Sequence, residues 1–509
     1  MKSWILPVCL IALISLASSA CLASDRPAPK STGEPERLFS AAELRSDFEQ
    51  MYRELKAAHF DLYAFTPKPK LDRLYAQTLA GLDRPLTLRQ AKDQFELFAA
   101  AVHMGHTRVD SPASDWTQYR QHGGRGFPLQ LRIVDGRVYV AENLSGLDTI
   151  RQGDEITSLD GATMSRWLER TERHVSAETP YMAHSLMEYD FPIYVWIELG
   201  AVDGFDIGLS RNGSATRHVH VPARTSTEMD AARAQQPPVL DLEKPLRDSR
   251  MLDDGIAYLR PGPFYNAEAK TGADEWDVSA FRQFIDSAFE SFSKAHATSV
   301  IIDLRGNPGG DNLFSDVLVS WVATRPFRFA SQFKIKVSEE STAANRARIA
   351  NDAAAAGPIS QKYADLYAHA SIGDIVDFNI PLAYPRPEKR FGGKVFVLID
   401  RQSYSDAVSV AALVQDYKFG VILGEPTSDM ATTYGAMEQF ALKNTGLLIG
   451  YPKARIVRPN GDLRGKRGVT PDIQIQTPIV QSINDEVLRQ AEVIAGRDWR
   501  SGSAGHAST

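Results

Sequence analysis

The order of apolar and polar positions divides the chain into three textures. From Ser40 to Met104 apolar residues recur at three- and four-residue steps: Phe48, Met51, Tyr52 and Leu55, then Leu97, Ala101 and Met104. That period gathers them on one helical face, and Pro67, Pro69 and Pro85 cut the region into several short helices. The last of these is expected to end at Gly105, in a left-handed C-terminal position. From 124 to about 225 the period falls to two, which predicts strands and turns. Leu129, Leu131 and Ile133 alternate with Gln130 and Arg132, Asp135-Gly136 makes a hairpin turn, and Val138 to Val140 returns. Beyond Gly255, short apolar runs alternate with helical periods. The runs Ile256 to Leu259, Ser299 to Leu304, Val395 to Ile399 and Val421 to Leu423 predict buried strands. Helices are expected over 278–292, 312–322 and 406–417. This alternation predicts an α/β layered core, with the alanine-rich stretch Ala343 to Ala356 as a helical insertion.

The ends have a different character. Lys2, the apolar run Ile5 to Leu16 and the small residues Ala17, Ser18, Ser19, Ala20 and Ala23 form the pattern of a secretory signal peptide over 1–23. The run is short for a bilayer span, so a retained anchor is the lesser reading. A lipoprotein acylated at Cys21 is the other alternative. The polar, proline-rich residues 24–37 are expected to be disordered, as is the tail after Arg497. Cys9 and Cys21 are the two cysteines, so cleavage after Ala23 leaves no thiol. That excludes disulfides, Cys–zinc sites and a cysteine nucleophile. At 509 residues the chain exceeds one ordinary core, and 43% hydrophobic with 24% charged residues describes a globular protein. A net charge of −6 without a basic run argues against a nucleic-acid partner.

Three stretches carry candidate chemistry. In Asp303-Leu-Arg-Gly-Asn-Pro-Gly-Gly310 a buried strand enters a glycine turn, where backbone N–H groups can face a ligand. For the glycines alone, a tight βα connection is the favoured reading. In Ser403-Tyr-Ser-Asp406 a second strand meets a helix, and a serine there has its hydroxyl at the positive end of the helix dipole. Alone, Ser403 or Ser405 reads first as a helix cap. In Val102-His-Met-Gly-His-Thr-Arg108, His103 and His106 lack the further ligands that a metal site needs. No G-x-S-x-G elbow is present, which disfavours an α/β-hydrolase esterase.

Taken together and in order, these stretches resemble the C-terminal processing, or tail-specific, serine peptidases of family S41. The matching elements are Gly105-His-Thr107, a PDZ-like segment over Ile150 to Gly161, residues 303–310, 403–406, Gly424-Glu-Pro-Thr427 and Gly468-Val-Thr-Pro-Asp472. The resemblance implies a crotonase-like (ClpP/crotonase) core of layered ββα units, preceded by an N-terminal helical region and a PDZ-like β-domain. The expected division is 1–23 signal peptide, 24–37 lead-in, 38–112 helical region, 113–228 PDZ-like domain, 229–480 catalytic core and 481–509 C-terminal helix and tail. It further implies Ser405 as nucleophile, with an oxyanion hole from the Asp406 N–H and the Gly309-Gly310 turn. The lysine that activates the serine in processing peptidases falls here at Met430, and no lysine lies between Lys418 and Lys443. The sequence is therefore similar to the tricorn-core-like branch, in which a histidine serves, and His106 takes that role. Asp462 is the expected third member, with Glu438 second. Asp406 is further associated with substrate positioning in that branch.

The expectation is an exported serine endopeptidase or oligopeptidase, periplasmic or secreted, that works through an acyl-enzyme on Ser405. No cofactor or metal is expected. The partner is a peptide or unfolded protein, with membrane contact only through a retained signal segment or an acylated Cys21. The alternative is a non-catalytic peptide or apolar-ligand binder on the same fold.

Overall fold

The computed structural model describes residues 37–496 apart from 111–112, 237–245, 271–273, 352, 464–466 and 481–482. The expected signal peptide and the tail after Arg497 lie outside the described residues, as does nearly all of the lead-in. Among the described residues are 13 α-helices and four β-sheets, a mixed α/β fold. No helix among them is long and apolar enough to cross a membrane.

Five parallel strands form the central sheet, in the order Ile256–Arg260, Ser299–Asp303, Lys394–Ile399, Val421–Gly424 and Ile473–Gln474. Asp248–Met251 joins antiparallel at one edge. Both faces are covered, which is why Ser299–Asp303 is buried at every position. Val300 and Ile302 face the helices Ser279–Lys294, Asn312–Val322 and Asp406–Tyr417, while Ile301 faces the helix Glu486–Gly496. The register pairs Asp303 with Leu398, so the turns leaving these two neighbouring strands emerge side by side. Ligands characteristically meet open parallel sheets at such strand ends.

A second sheet carries Ile375–Asp377, Gln332–Lys336, Leu448–Val457 and Thr433–Ala441. The short strand Arg108–Val109 pairs with it through Gly450 and Ile449. The helices Ala41–Ala58, Lys68–Gly81 and Leu88–Ala100 share an apolar cluster with Leu442, Leu447, Ile449 and Tyr451 of that sheet. The N-terminal region is thereby fixed to the central part of the molecule, and the turn carrying His106 with it.

A third, antiparallel sheet runs Leu129–Val134, Arg137–Asn143, Glu155–Leu159, Gly204–Ser210 and Arg217–Pro222. Its first hairpin turns at Asp135 and Gly136, with φ of 50° and 74°, as a two-residue turn requires. One expectation for this region is overturned. Residues 180–199 are a helix, begun by Thr179 capping Met182 N–H and by Pro180 in the first turn. Apolar residues surround this helix on most sides, so it shows no clear three-four period.

Two further differences are local. The helix Leu88–Ala100 ends before Gly105, and His103 takes the left-handed conformation (φ 55°) expected of Gly105. The insertion after the strand Gln332–Lys336 is two helices, Glu339–Asn351 and Ala353–Ala368.

Candidate active site

Ser405 stands between the strand Lys394–Ile399 and the helix Asp406–Tyr417, with φ 53° and ψ −117°. A positive φ at a side-chain-bearing residue is strained and persists only where the surroundings hold it. Here the Tyr404 N–H donates to Asn307 O at 2.9 Å, and the Ser405 N–H donates to Asp429 Oδ2 at 2.7 Å. Gly309 presses against the same turn: a Cβ there would stand 2.8 Å from Ser405 Cβ and 2.6 Å from Asp406 N. The two serines of the motif part company. Ser403 Oγ donates to Leu304 O at 2.7 Å and accepts the Asp400 N–H at 3.1 Å, which ties the two turns together. Ser405 makes no side-chain cap hydrogen bond.

The glycine turn is built around Asn307. Its Nδ2 donates to Gly262 O at 2.7 Å, and its Oδ1 accepts the Gly309 N–H at 2.9 Å. Asp400 Oδ1 accepts the N–H groups of Gly306 and Gln402, each at 3.0 Å. Of the three expected oxyanion donors, Gly309 therefore has its N–H committed. Those of Gly310 and Asp406 donate no hydrogen bond among the described residues, and Asp406, as first residue of its helix, has no intrahelical acceptor. Gly310 has φ 144°, and a Cβ would lie 2.1 Å from Phe264 O.

His106 sits in the turn before Arg108–Val109, buried, with its ring centroid 5.5 Å from that of Tyr404. The next residue, Thr107, shares a hydrogen bond of 2.9 Å with His59 Nε2. Met104 is clasped by Ser176, whose Oγ accepts its N–H at 3.1 Å and donates to its carbonyl at 2.6 Å. A Cβ on Gly105 would meet Met182 Cε at 2.3 Å and Tyr404 Oη at 2.9 Å, so close approach explains this glycine. Burial, helped by the Arg108 charge, lowers the His106 pKa to about 4. The imidazole is therefore neutral at neutral pH, and its Nδ1 is buried without a partner. Among the described residues no group of three or more His, Cys, Asp or Glu side chains could hold a metal ion.

The carboxylates distribute unexpectedly. Asp462 is half-buried, with its N–H bonded to Asn460 Oδ1 at 2.9 Å and its carbonyl accepting from Thr432 Oγ1 at 2.7 Å. Glu438 is bound to Lys453 and Arg348, both at 2.6 Å, and these charges hold its pKa low against burial. Two carboxylates that the sequence reading did not single out stand closer to the serine and histidine turns. Asp429 binds the Ser405 and Met430 N–H groups, both at 2.7 Å, and burial pushes its pKa up to about 6. Glu178 Oε2 lies 3.4 Å from the Cβ position of Gly105, buried and without a hydrogen-bond partner. Burial, with the Asp429 charge second, pushes its pKa up to about 8. Asp429 adjoins Met430, the vacant lysine position, and was to that extent findable. Glu178 carried no sequence signal.

The sequence model of peptidase family S41 matches residues 256–475, which include both turns at the sheet's strand ends. Among solved structures, mature CPAF is 16% identical, with 85% of this chain and 92% of that chain covered and a TM-score of 0.56. CPAF complexed with lactacystin is also 16% identical, with 89% and 97% covered and a TM-score of 0.58. The photosystem II D1 C-terminal processing protease is 17% identical, with 89% and 98% covered and a TM-score of 0.45. No curated protein matches the chain. With the CPAF structures the chain shares a fold, and the part of it that matches peptidase family S41 is residues 256–475, 220 of the 509 residues.

Proposed function

We propose that the protein cleaves peptide bonds of unfolded proteins or peptides through an acyl-enzyme on Ser405. The observation that carries this reading is the uncapped Ser405 on a strained turn, beside the unengaged N–H groups of Gly310 and Asp406. Ser405 Oγ attacks the carbonyl carbon, its proton passes to His106, and the oxyanion settles between those two N–H groups. His106 then returns the proton to the leaving amine, and water hydrolyses the ester.

A histidine base keeps one ring nitrogen for the serine proton and needs an acceptor on the other. Glu178 Oε2 and His106 Nδ1 are both buried and unmatched, on adjoining parts of the site, which supports Glu178 as the orienting carboxylate. Asp462, the expected third member, is compared with it by E178Q and D462N. The variant lacking the orienting carboxylate loses about 10²–10⁴-fold in kcat, and the other stays within a few-fold.

The wider reading follows from the resemblance. The parallel-sheet region is crotonase-like, and the sheet over 129–222 is a PDZ-like domain that accepts a peptide as an added strand. Residues 1–23 direct export. The test is fluorophosphonate labelling with mass spectrometric location of the adduct; lactacystin, complexed with CPAF in a solved structure, is a second probe. Labelling at Ser405 that disappears in S405A supports the reading. A folded wild type that is never labelled and cleaves no peptide library favours a peptide-binding protein instead.

A further inference from the structure

Two elements of the sequence pattern supply no side chain to the proposed chemistry: Gly424-Glu-Pro-Thr427 and Gly468-Val-Thr-Pro-Asp472. In the fold they meet. The Thr427 N–H donates to Val469 O at 3.1 Å, and the Val469 N–H donates to Thr427 Oγ1 at 2.8 Å. Thr427 Oγ1 in turn donates to the Asp429 carbonyl at 3.0 Å. Gly468 lies against the same loop: a Cβ there would stand 2.7 Å from Asp429 O and closer still to Thr427. Ser428 Oγ donates to Arg401 O at 2.6 Å, and the Ala431 N–H donates to Arg467 O at 3.3 Å. The loop is thus held on both sides of Asp429.

Asp429 is fully buried, and its two carboxylate oxygens accept the N–H groups of Ser405 and Met430, each at 2.7 Å. Those charge-assisted bonds offset part of what burial costs the anion. Among the described residues Asp429 is the one side chain that hydrogen-bonds the Ser405 main chain. The Ser405 carbonyl accepts the Val408 and Ser409 N–H groups at 3.0 and 3.1 Å, which fixes the peptide after the nucleophile. The peptide before it sets the φ of 53°. Its oxygen accepts the Ala407 N–H at 3.1 Å, and its N–H has Asp429. Without the carboxylate that N–H would lose its acceptor, and rotation of the peptide would release the strain.

The same bond decides which groups meet the oxyanion. The N–H of a nucleophilic serine can itself serve as an oxyanion donor. Here a carboxylate takes it, which leaves that task to Gly310 and Asp406. We propose that Asp429 is a positioning residue: it holds the Ser405 N–H, and through it the strained backbone that aims the nucleophile, while Thr427, Gly468 and Val469 place its carboxylate. The inference rests on Ser405 as nucleophile and adds to it a role for the two motifs.

The test compares D429A, D429N, T427V and T427S by peptide cleavage, with kcat counted per site labelled by fluorophosphonate at completion, so that unfolded protein does not enter. D429A is expected to lose about 10²-fold in kcat with KM within a few-fold, because Asp429 lies behind the Ser405 main chain. D429N keeps one acceptor oxygen for the Ser405 N–H and is expected to recover about tenfold of that loss. T427V removes both hydroxyl bonds and leaves Asp429 and Ser405 unchanged; it is expected to lose about tenfold in kcat, which T427S restores. Should D429A not fold, the T427V and T427S pair decides. Wild-type kcat per labelled site in the deciding variant overturns the role of Asp429 and leaves the peptidase reading standing. A loss that neither D429N nor T427S relieves does the same. A wild type that is neither labelled nor active overturns the two together.

Discussion

Ser403 and Ser405 differ in role because of where the backbone spends its hydrogen bonds. Ser403 satisfies Leu304 O and the Asp400 N–H, so its hydroxyl is structural. Ser405 has its N–H taken by Asp429 and its hydroxyl left uncapped. The motif Ser-Tyr-Ser-Asp was legible as a strand-to-helix turn with a candidate nucleophile, but the φ of 53° at Ser405 was not. Two titrations follow from burial. His106, lowered to about 4 from an ordinary 6.5, is taken as neutral above that value, so the acid limb of kcat/KM set by it falls below pH 6.5. R108Q removes the charge that helps to lower it and moves the limb upward; an unchanged limb across pH 4–8 would contradict this. Asp406 behaves oppositely. Its folded pKa is raised, so the unfolded chain releases this proton first, and stability is lost as pH rises from about 4 through the folded pKa. D406N removes that loss. The Tm of D406N relative to wild type is therefore expected to increase between pH 3 and pH 7, by differential scanning calorimetry, and a constant difference would refute the assignment.

At the level of elements, the helices beside the site follow their hydrophobic period: Asn312–Val322 and Asp406–Tyr417 have the ends that the sequence implies. Their apolar faces pack on one sheet, and a glycine turn or a capped N-terminus marks each start. The helix Pro180–Leu199 was illegible because burial on most sides erases periodicity, and Pro192 inside it reads as a breaker. The mistaken reading of Gly105 has a related cause. A glycine required by φ and one required by a distant neighbour look alike in sequence, and here the neighbours are Met182 and Tyr404. G105A should therefore force the His106 turn away from Tyr404. We expect kcat to fall by about 10²-fold for a misplacement on the order of 1 Å, with stability reduced by about 1–3 kcal/mol. Urea unfolding alongside peptide cleavage separates the two effects; a loss of stability with kcat intact would show that the turn is not positioned by this contact.

Across the whole molecule, what was least legible is what joins distant parts. Glu178 reaches the site only because the chain between two helices of the third sheet's layer packs behind Gly105, and no spacing in the sequence encodes that. The same layer is fastened to the central sheet by a buried ion cluster. Arg132, on the strand Leu129–Val134, pairs with Glu188 at 3.3 Å and Glu425 at 3.4 Å. Arg401, one residue beyond Asp400, pairs with the same two carboxylates at 3.1 and 3.2 Å. Arg401 also donates to Ile133 O at 2.8 Å, and its own carbonyl accepts from Ser185 Oγ at 3.0 Å. The turn that leads to Ser405 is thus held from the side by the antiparallel sheet and its helix. Two arginines balance two glutamates here, so removing one member leaves a buried charge uncompensated, at a cost of about 3–5 kcal/mol. E425Q should show that loss of stability in chemical denaturation. R401M should show it too, and because Arg401 lies on the turn that leads to Ser405, R401M should also slow fluorophosphonate labelling of the protein that remains folded. E188Q alters a carboxylate that Arg401 and Gln402 Nε2 both bind, so it should show both the stability loss and slower labelling. If all three variants lose stability and label Ser405 at the wild-type rate, the cluster fastens the two sheets without shaping the Ser405 turn.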